Sequence, residues 1–124
     1  MKILNPKIHG YLDYGVVILF LAAPTLFGLT GIPATIAYTL AVVHLLVTVI
    51  TAFPLSIVQL LPLPLHGAIE LVVSFALVAL PWIFGFASDL AARNFYIAAG
   101  VLIFAVWLIT DYKAIAMKKT PDRF

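Results

Sequence analysis

The chain has no cysteine, and only 10% of its 124 residues are charged. The first absence excludes disulfides and thiolate metal ligands and leaves the redox compartment open. The second excludes an ordinary soluble domain: with 65% hydrophobic residues and a mean hydropathy of +1.18, the chain belongs in a bilayer. Enzyme signatures are missing too, with no nucleophile elbow, phosphate loop or dinucleotide fingerprint. Basic residues form only a short tail, not the broad face that a nucleic acid requires, so no nucleic-acid partner is expected.

What is present is four long apolar runs, about Ile8–Phe27, Pro33–Phe53, Leu65–Phe84 and Asp89–Tyr112. Crossing a hydrocarbon layer takes about 20 mostly apolar residues per helix, and each run suffices. The first reads as a retained span and not a signal peptide, because Pro24 would directly follow a cut after Ala23. Six of the seven basic residues (Lys2, Lys7, Lys113, Lys118, Lys119 and Arg123) lie near the chain ends, and Arg93 lies toward the other side. That bias predicts cytoplasmic termini and a multi-pass protein of the plasma, or inner, membrane.

His9-Gly10-Tyr11-Leu12-Asp13 is echoed 57 positions later by His66-Gly67-Ala68-Ile69-Glu70, and the echo continues through Val16/Val73, Pro24/Pro81 and Gly28/Gly85. The expected architecture is therefore an all-α membrane protein, a four-transmembrane-helix bundle built from two parallel two-helix repeats in one membrane domain, 1–124. Repeat 1 covers about 5–53 and repeat 2 about 65–112, with a connection at about 54–64 and a basic cytoplasmic tail at 113–124. The connection should hold a short interfacial helix begun by Pro54 and ended before Pro62. Ser88 is the expected N-cap of the fourth helix, with Asp89 in its first turn. Tyr11, Tyr14, Phe53, Trp107 and Tyr112 on one side, and Phe27, Trp82, Phe84, Phe86, Phe95 and Tyr96 on the other, read as interfacial belts. Pro24 and Pro81 each remove a backbone donor near the outer end of a span and should kink it.

The segments Ala23-Pro24-Thr25-Leu26-Phe27-Gly28 and Leu80-Pro81-Trp82-Ile83-Phe84-Gly85 stand where the SPW-repeat integral membrane proteins carry a Ser-Pro-Trp motif. The chain resembles that family over nearly its whole length, although serine is missing from both copies and tryptophan from the first. The resemblance implies a repeated two-span unit and carries over no catalytic residue.

Residues four apart share a helix face, so His9 with Asp13, and His66 with Glu70 and Ser74, form polar stripes beginning at the cytoplasmic ends of their spans. His44, Thr48 and Thr51 line one face of the second span, and Thr110 and Asp111 return to the same end on the fourth. Together they predict a polar recess facing the cytoplasm. Buried carboxylates in a span are costly, so Asp13, Glu70 and Asp111 require partners, with His9, His66, Lys7 and Lys113 nearest. The hydroxyls of Thr48, Thr51, Ser74 and Thr110 are expected to bond their own helix backbone.

Several roles fit this cluster. It can be a non-enzymatic binding or structural site that ties the repeats together. It can be a metal or haem site on His9, Asp13, His66 and Glu70, serving electron transfer or an enzyme. It can be a proton or small-solute pathway through His44, or a quinone-like or lipid-headgroup pocket. The first is preferred. The lipid bilayer is the expected partner, and Ala98, Ala99, Gly100 and Ala105 offer a face for homo-oligomer contact.

Overall fold

The computed structural model describes residues 4–51 and 60–110. Four helices follow one another: α1 (Pro6–Phe27), α2 (Gly31–Ile50), α3 (Leu63–Ile83) and α4 (Leu90–Ile109). Each has 20 to 22 residues, about 30 Å at 1.5 Å per residue, and each is apolar enough to cross a membrane. No strand occurs among the described residues, and the fold is an all-α four-helix bundle. Large side chains such as Ile18, Leu26, Leu46, Val72 and Ile83 point outward, as expected where lipid is the solvent.

Helix ends follow local chemistry. Asn5 caps α1 by accepting from the Ile8 N–H at 2.9 Å, and Pro6 occupies the first helical position. At the far end Gly28 adopts φ +66°, a left-handed conformation open to glycine at little cost, and Gly85 does the same after α3 at φ +75°. The carbonyls of Pro24 and Pro81 accept from Leu29 at 3.0 Å and from Phe86 at 2.8 Å. Both prolines lie in the last turn of their helices, so each marks where a span stops. Asp89, and not Ser88, caps α4, accepting from the Ala92 N–H at 3.3 Å. The interfacial helix expected from Pro54, Asp111 and the basic tail lie outside the described residues.

Helix α1 packs along α2, α3 along α4, and α1 also meets α4. Toward the end where α1 and α3 finish, Phe20, Phe95 and Tyr96 form an aromatic core, with centroids 5.4 Å apart for Phe20–Phe95 and 5.0 Å for Phe95–Tyr96. The Tyr96 hydroxyl donates to the Pro33 carbonyl at 2.6 Å. Phe86, Phe95 and Tyr96 are therefore buried core residues and not a belt, whereas Phe27, Trp82 and Phe84 do face outward.

Ala99 and Gly100 are buried in the bundle, leaving Ala98 and Ala105 of the expected small-residue face exposed. A Cβ on Gly100 would stand 2.6 Å from the Ser74 carbonyl oxygen and 3.2 Å from the Val78 backbone nitrogen. Backbone cannot yield there without separating α3 from α4. Gly100→Ala is expected to destabilise the bundle by about 1–3 kcal/mol. SDS titration in mixed micelles reads this as an earlier unfolding midpoint, with Ala98→Leu as the neutral control.

Candidate functional site

At the end of the bundle where α1 and α3 begin, the first turns of those helices face each other beside the last turns of α2 and α4. The chain before α1 lies against the end of α4, where the Leu4 N–H donates to the Ile109 carbonyl at 2.9 Å. The chain before α3 lies against the end of α2, where Leu61 donates to Ile50 at 2.8 Å. Gly10 and Gly67, each just after a histidine, are buried among these turns.

His9 on α1 and His66 on α3 converge from these turns, with Asp13 and Glu70 one turn further along the same helices. The His9 Nε2 lies 3.2 Å from Asp13 Oδ2 and 3.1 Å from Glu70 Oε1. The His66 Nε2 lies 3.1 Å from the same Asp13 oxygen and 3.6 Å from the same Glu70 oxygen. Four atoms thus form a ring in which nitrogen and oxygen alternate, all within 4.8 Å of one another. Both histidines are fully buried, and Asp13 and Glu70 are 2% and 5% exposed. The expected polar recess is therefore a closed cluster.

Two threonines fix the imidazoles. Thr51 Oγ1 donates to the Val47 carbonyl at 2.5 Å, and Thr110 Oγ1 donates to the Val106 carbonyl at 2.6 Å. A hydroxyl has one proton, so these oxygens can only accept from the histidines they touch. Thr51 accepts from His66 Nδ1–H at 2.7 Å, and Thr110 accepts from His9 Nδ1–H at 2.8 Å. Each Nε2 then carries either a second proton or a lone pair, directed at two carboxylate oxygens. Lone pairs facing anions at such distances repel, so the ring requires either two protons, held on imidazole nitrogens or carboxyl oxygens, or one divalent cation held by neutral imidazoles.

The remaining residues separate by depth. His44 on α2 reaches the other Asp13 oxygen, Oδ1, at 3.5 Å, and is partly exposed. Thr48 donates to the His44 carbonyl at 2.7 Å and Ser74 to the Leu71 carbonyl at 2.7 Å, so both satisfy their own helices as expected. Thr51 and Thr110 do that and more, because their oxygens also hold a histidine from another helix. The Ile50-Thr51 and Ile109-Thr110 echo in the sequence was the signal for that second role.

The residues do not fit a haem between the histidines. Asp13 and Glu70 oxygens stand within 3.6 Å of each Nε2, in the space a porphyrin plane would fill. A single ion is the group the ring can hold. The chain matches no protein-family model, no curated protein and no solved structure.

Proposed function

We propose that this multi-pass membrane protein binds one divalent first-row transition-metal ion through His9, Asp13, His66 and Glu70. The ring of four donor atoms carries the reading. Metal–ligand bonds of about 2.0–2.1 Å in a tetrahedron place neighbouring donors roughly 3.3–3.4 Å apart. The four nitrogen–oxygen separations of 3.1 to 3.6 Å bracket that value, and the pairs across the ring, within 4.8 Å, draw in by up to about 1.4 Å to complete a tetrahedron. Two imidazoles and two carboxylates suit zinc, iron(II) or manganese, and a doubly charged ion neutralises the two anions. Held Nδ1–H groups are what a metal-ligating histidine needs to present its other nitrogen in a fixed direction.

The same reading takes the α1–α2 and α3–α4 hairpins as copies of one unit of the SPW-repeat kind, inserted in the same sense. Basic residues near the chain ends assign the metal end to the cytoplasmic face. The role is binding, with the ion also joining the two hairpins.

Elemental analysis of protein purified in mild detergent, followed by cobalt(II) titration, tests the reading. One equivalent of metal and the visible bands of four- or five-coordinate cobalt are expected. Failure to take up any of zinc, iron, manganese or cobalt stoichiometrically removes it. Thr51→Val and Thr110→Val are each expected to weaken metal binding by about 10–100-fold, as loss of a partner that orients a ligand does elsewhere. Thr48→Val, whose hydroxyl serves only the His44 carbonyl among the described contacts, should leave affinity unchanged in a competition assay with a coloured chelator.

A further inference from the structure

Two cavities flank the ring, one between α2 and α3 and one between α1 and α4. Six lining positions of the one have counterparts in the other. In the first, Val43, His44 and Val47 face Ile69, Glu70 and Val73. In the second, Leu102, Ile103 and Val106 face Leu12, Asp13 and Val16. Helices α1 and α3 match at an offset of 57, and α2 and α4 at 59. Five of the six matched pairs keep their chemical type, apolar or acidic. The sixth sets His44 against Ile103.

That exchange gives the two cavities different chemistry. The α2/α3 cavity is walled by hydrocarbon except for Glu70 and His66 from the ring and His44, the polar group the ring leaves over. Its volume is about 60 Å³. A water molecule requires about 10–15 Å³ by that measure, so a few small molecules fit, whereas the body of a lipid or a quinone does not. Apolar walls select an uncharged occupant, and access from the hydrocarbon layer favours molecules that dissolve in it.

We propose that the α2/α3 cavity is the site of an exchangeable further ligand on the bound ion, a neutral molecule of two or three atoms such as water or a dissolved diatomic gas, oriented by His44. This rests on the metal reading above. The ring supplies four protein donors, and the proposal requires that site to expand to five-coordination, as zinc sites sometimes do, into the space beside it. The ion donors His66 and Glu70 line the cavity opposite His44, with the His44 and His66 ring centroids 6.4 Å apart, so a molecule bound to the ion between them lies within reach of the His44 imidazole. The α1/α4 cavity is larger, about 160 Å³, but has isoleucine at the corresponding place and no such anchor.

Nitric oxide is a suitable probe, since it is neutral, diatomic and lipid-soluble, and it gives iron(II) sites a distinctive electron paramagnetic resonance signal. Full-length protein in detergent is loaded anaerobically with iron(II), its iron content measured, and nitric oxide titrated. Wild-type protein is expected to give the signal. His44→Ile, which installs the residue of the other half, and Val73→Phe, which fills the cavity, should each retain iron and bind nitric oxide at least tenfold more weakly. Val16→Phe fills the matched place in the other cavity and should behave as wild type. If iron is held but nitric oxide binds equally to all four proteins, or if Val16→Phe is the variant that blocks it, the assignment of the ligand site is overturned and the metal reading survives. Absence of stoichiometric iron, zinc and cobalt in wild-type protein overturns both.

Discussion

Replacing His9 and His66 together by alanine is expected to abolish stoichiometric metal uptake. Each imidazole supplies one donor, and the two left behind would be carboxylate oxygens on different helices, with nothing holding them at a common centre. Loss of a residue that only orients a ligand weakens binding about 10–100-fold, so loss of two ligands should exceed about 100-fold. Single variants, His9→Ala or His66→Ala, should fall between. Symmetry sharpens this: the two histidines make matching contacts, with Nδ1 on a threonine at 2.8 and 2.7 Å and Nε2 on the same two oxygens. Their single-variant affinities should therefore agree within a few fold. Competition with a coloured chelator measures all three proteins, and a double variant that still holds one equivalent would show that the ion binds elsewhere.

Asp13→Asn is expected to produce the largest loss of stability in the metal-free protein. Asp13 is the hub of the cluster, lying 3.2 Å from His9, 3.1 Å from His66 and 3.5 Å from His44. Taking one partner from a buried charged network leaves the others uncompensated, which costs about 3–5 kcal/mol in comparable cases. Glu70 meets two histidines, at 3.1 and 3.6 Å, so Glu70→Gln should cost less. SDS unfolding of apo-protein should rank wild type first, Glu70→Gln second and Asp13→Asn last. Adding His66→Gln to Asp13→Asn should restore part of the loss, because it removes the imidazole that Asp13 no longer compensates. Strictly additive effects would mean that Asp13 and His66 do not share a network.

Much of this was legible in the sequence, and the reasons are physical. A hydrocarbon solvent demands long apolar helices, so the four spans follow from composition. Four-residue spacing puts His9 over Asp13 and His66 over Glu70 whatever the rest of the fold does. What the sequence could not disclose were contacts between distant segments. His9 meets Thr110 across 101 positions and His66 meets Thr51 across 15, and the repeated Ile-Thr ending singles out the two threonines without saying which imidazole each supports. The aromatic residues show the same limit. Position along a span separates membrane interface from centre, but Phe95, Tyr96 and Phe86 turn inward while Trp82 and Phe84 turn outward at similar depth. Asp89 displaced Ser88 as the cap of α4 by a single position, a distinction decided by backbone geometry.

The pairing of each histidine with a threonine from the other hairpin has a consequence for how the protein is made. His9 emerges among the earliest residues of α1, yet the oxygen that fixes its ring is on Thr110, just past α4. His66 finds its oxygen on Thr51, already in place at the end of α2. During insertion the two halves of the cluster therefore mature at different times, and the earlier histidine waits longest. The cluster behaves as a latch that closes after the fourth helix arrives, so a chain truncated before Thr110 would be a membrane protein with its catch undone.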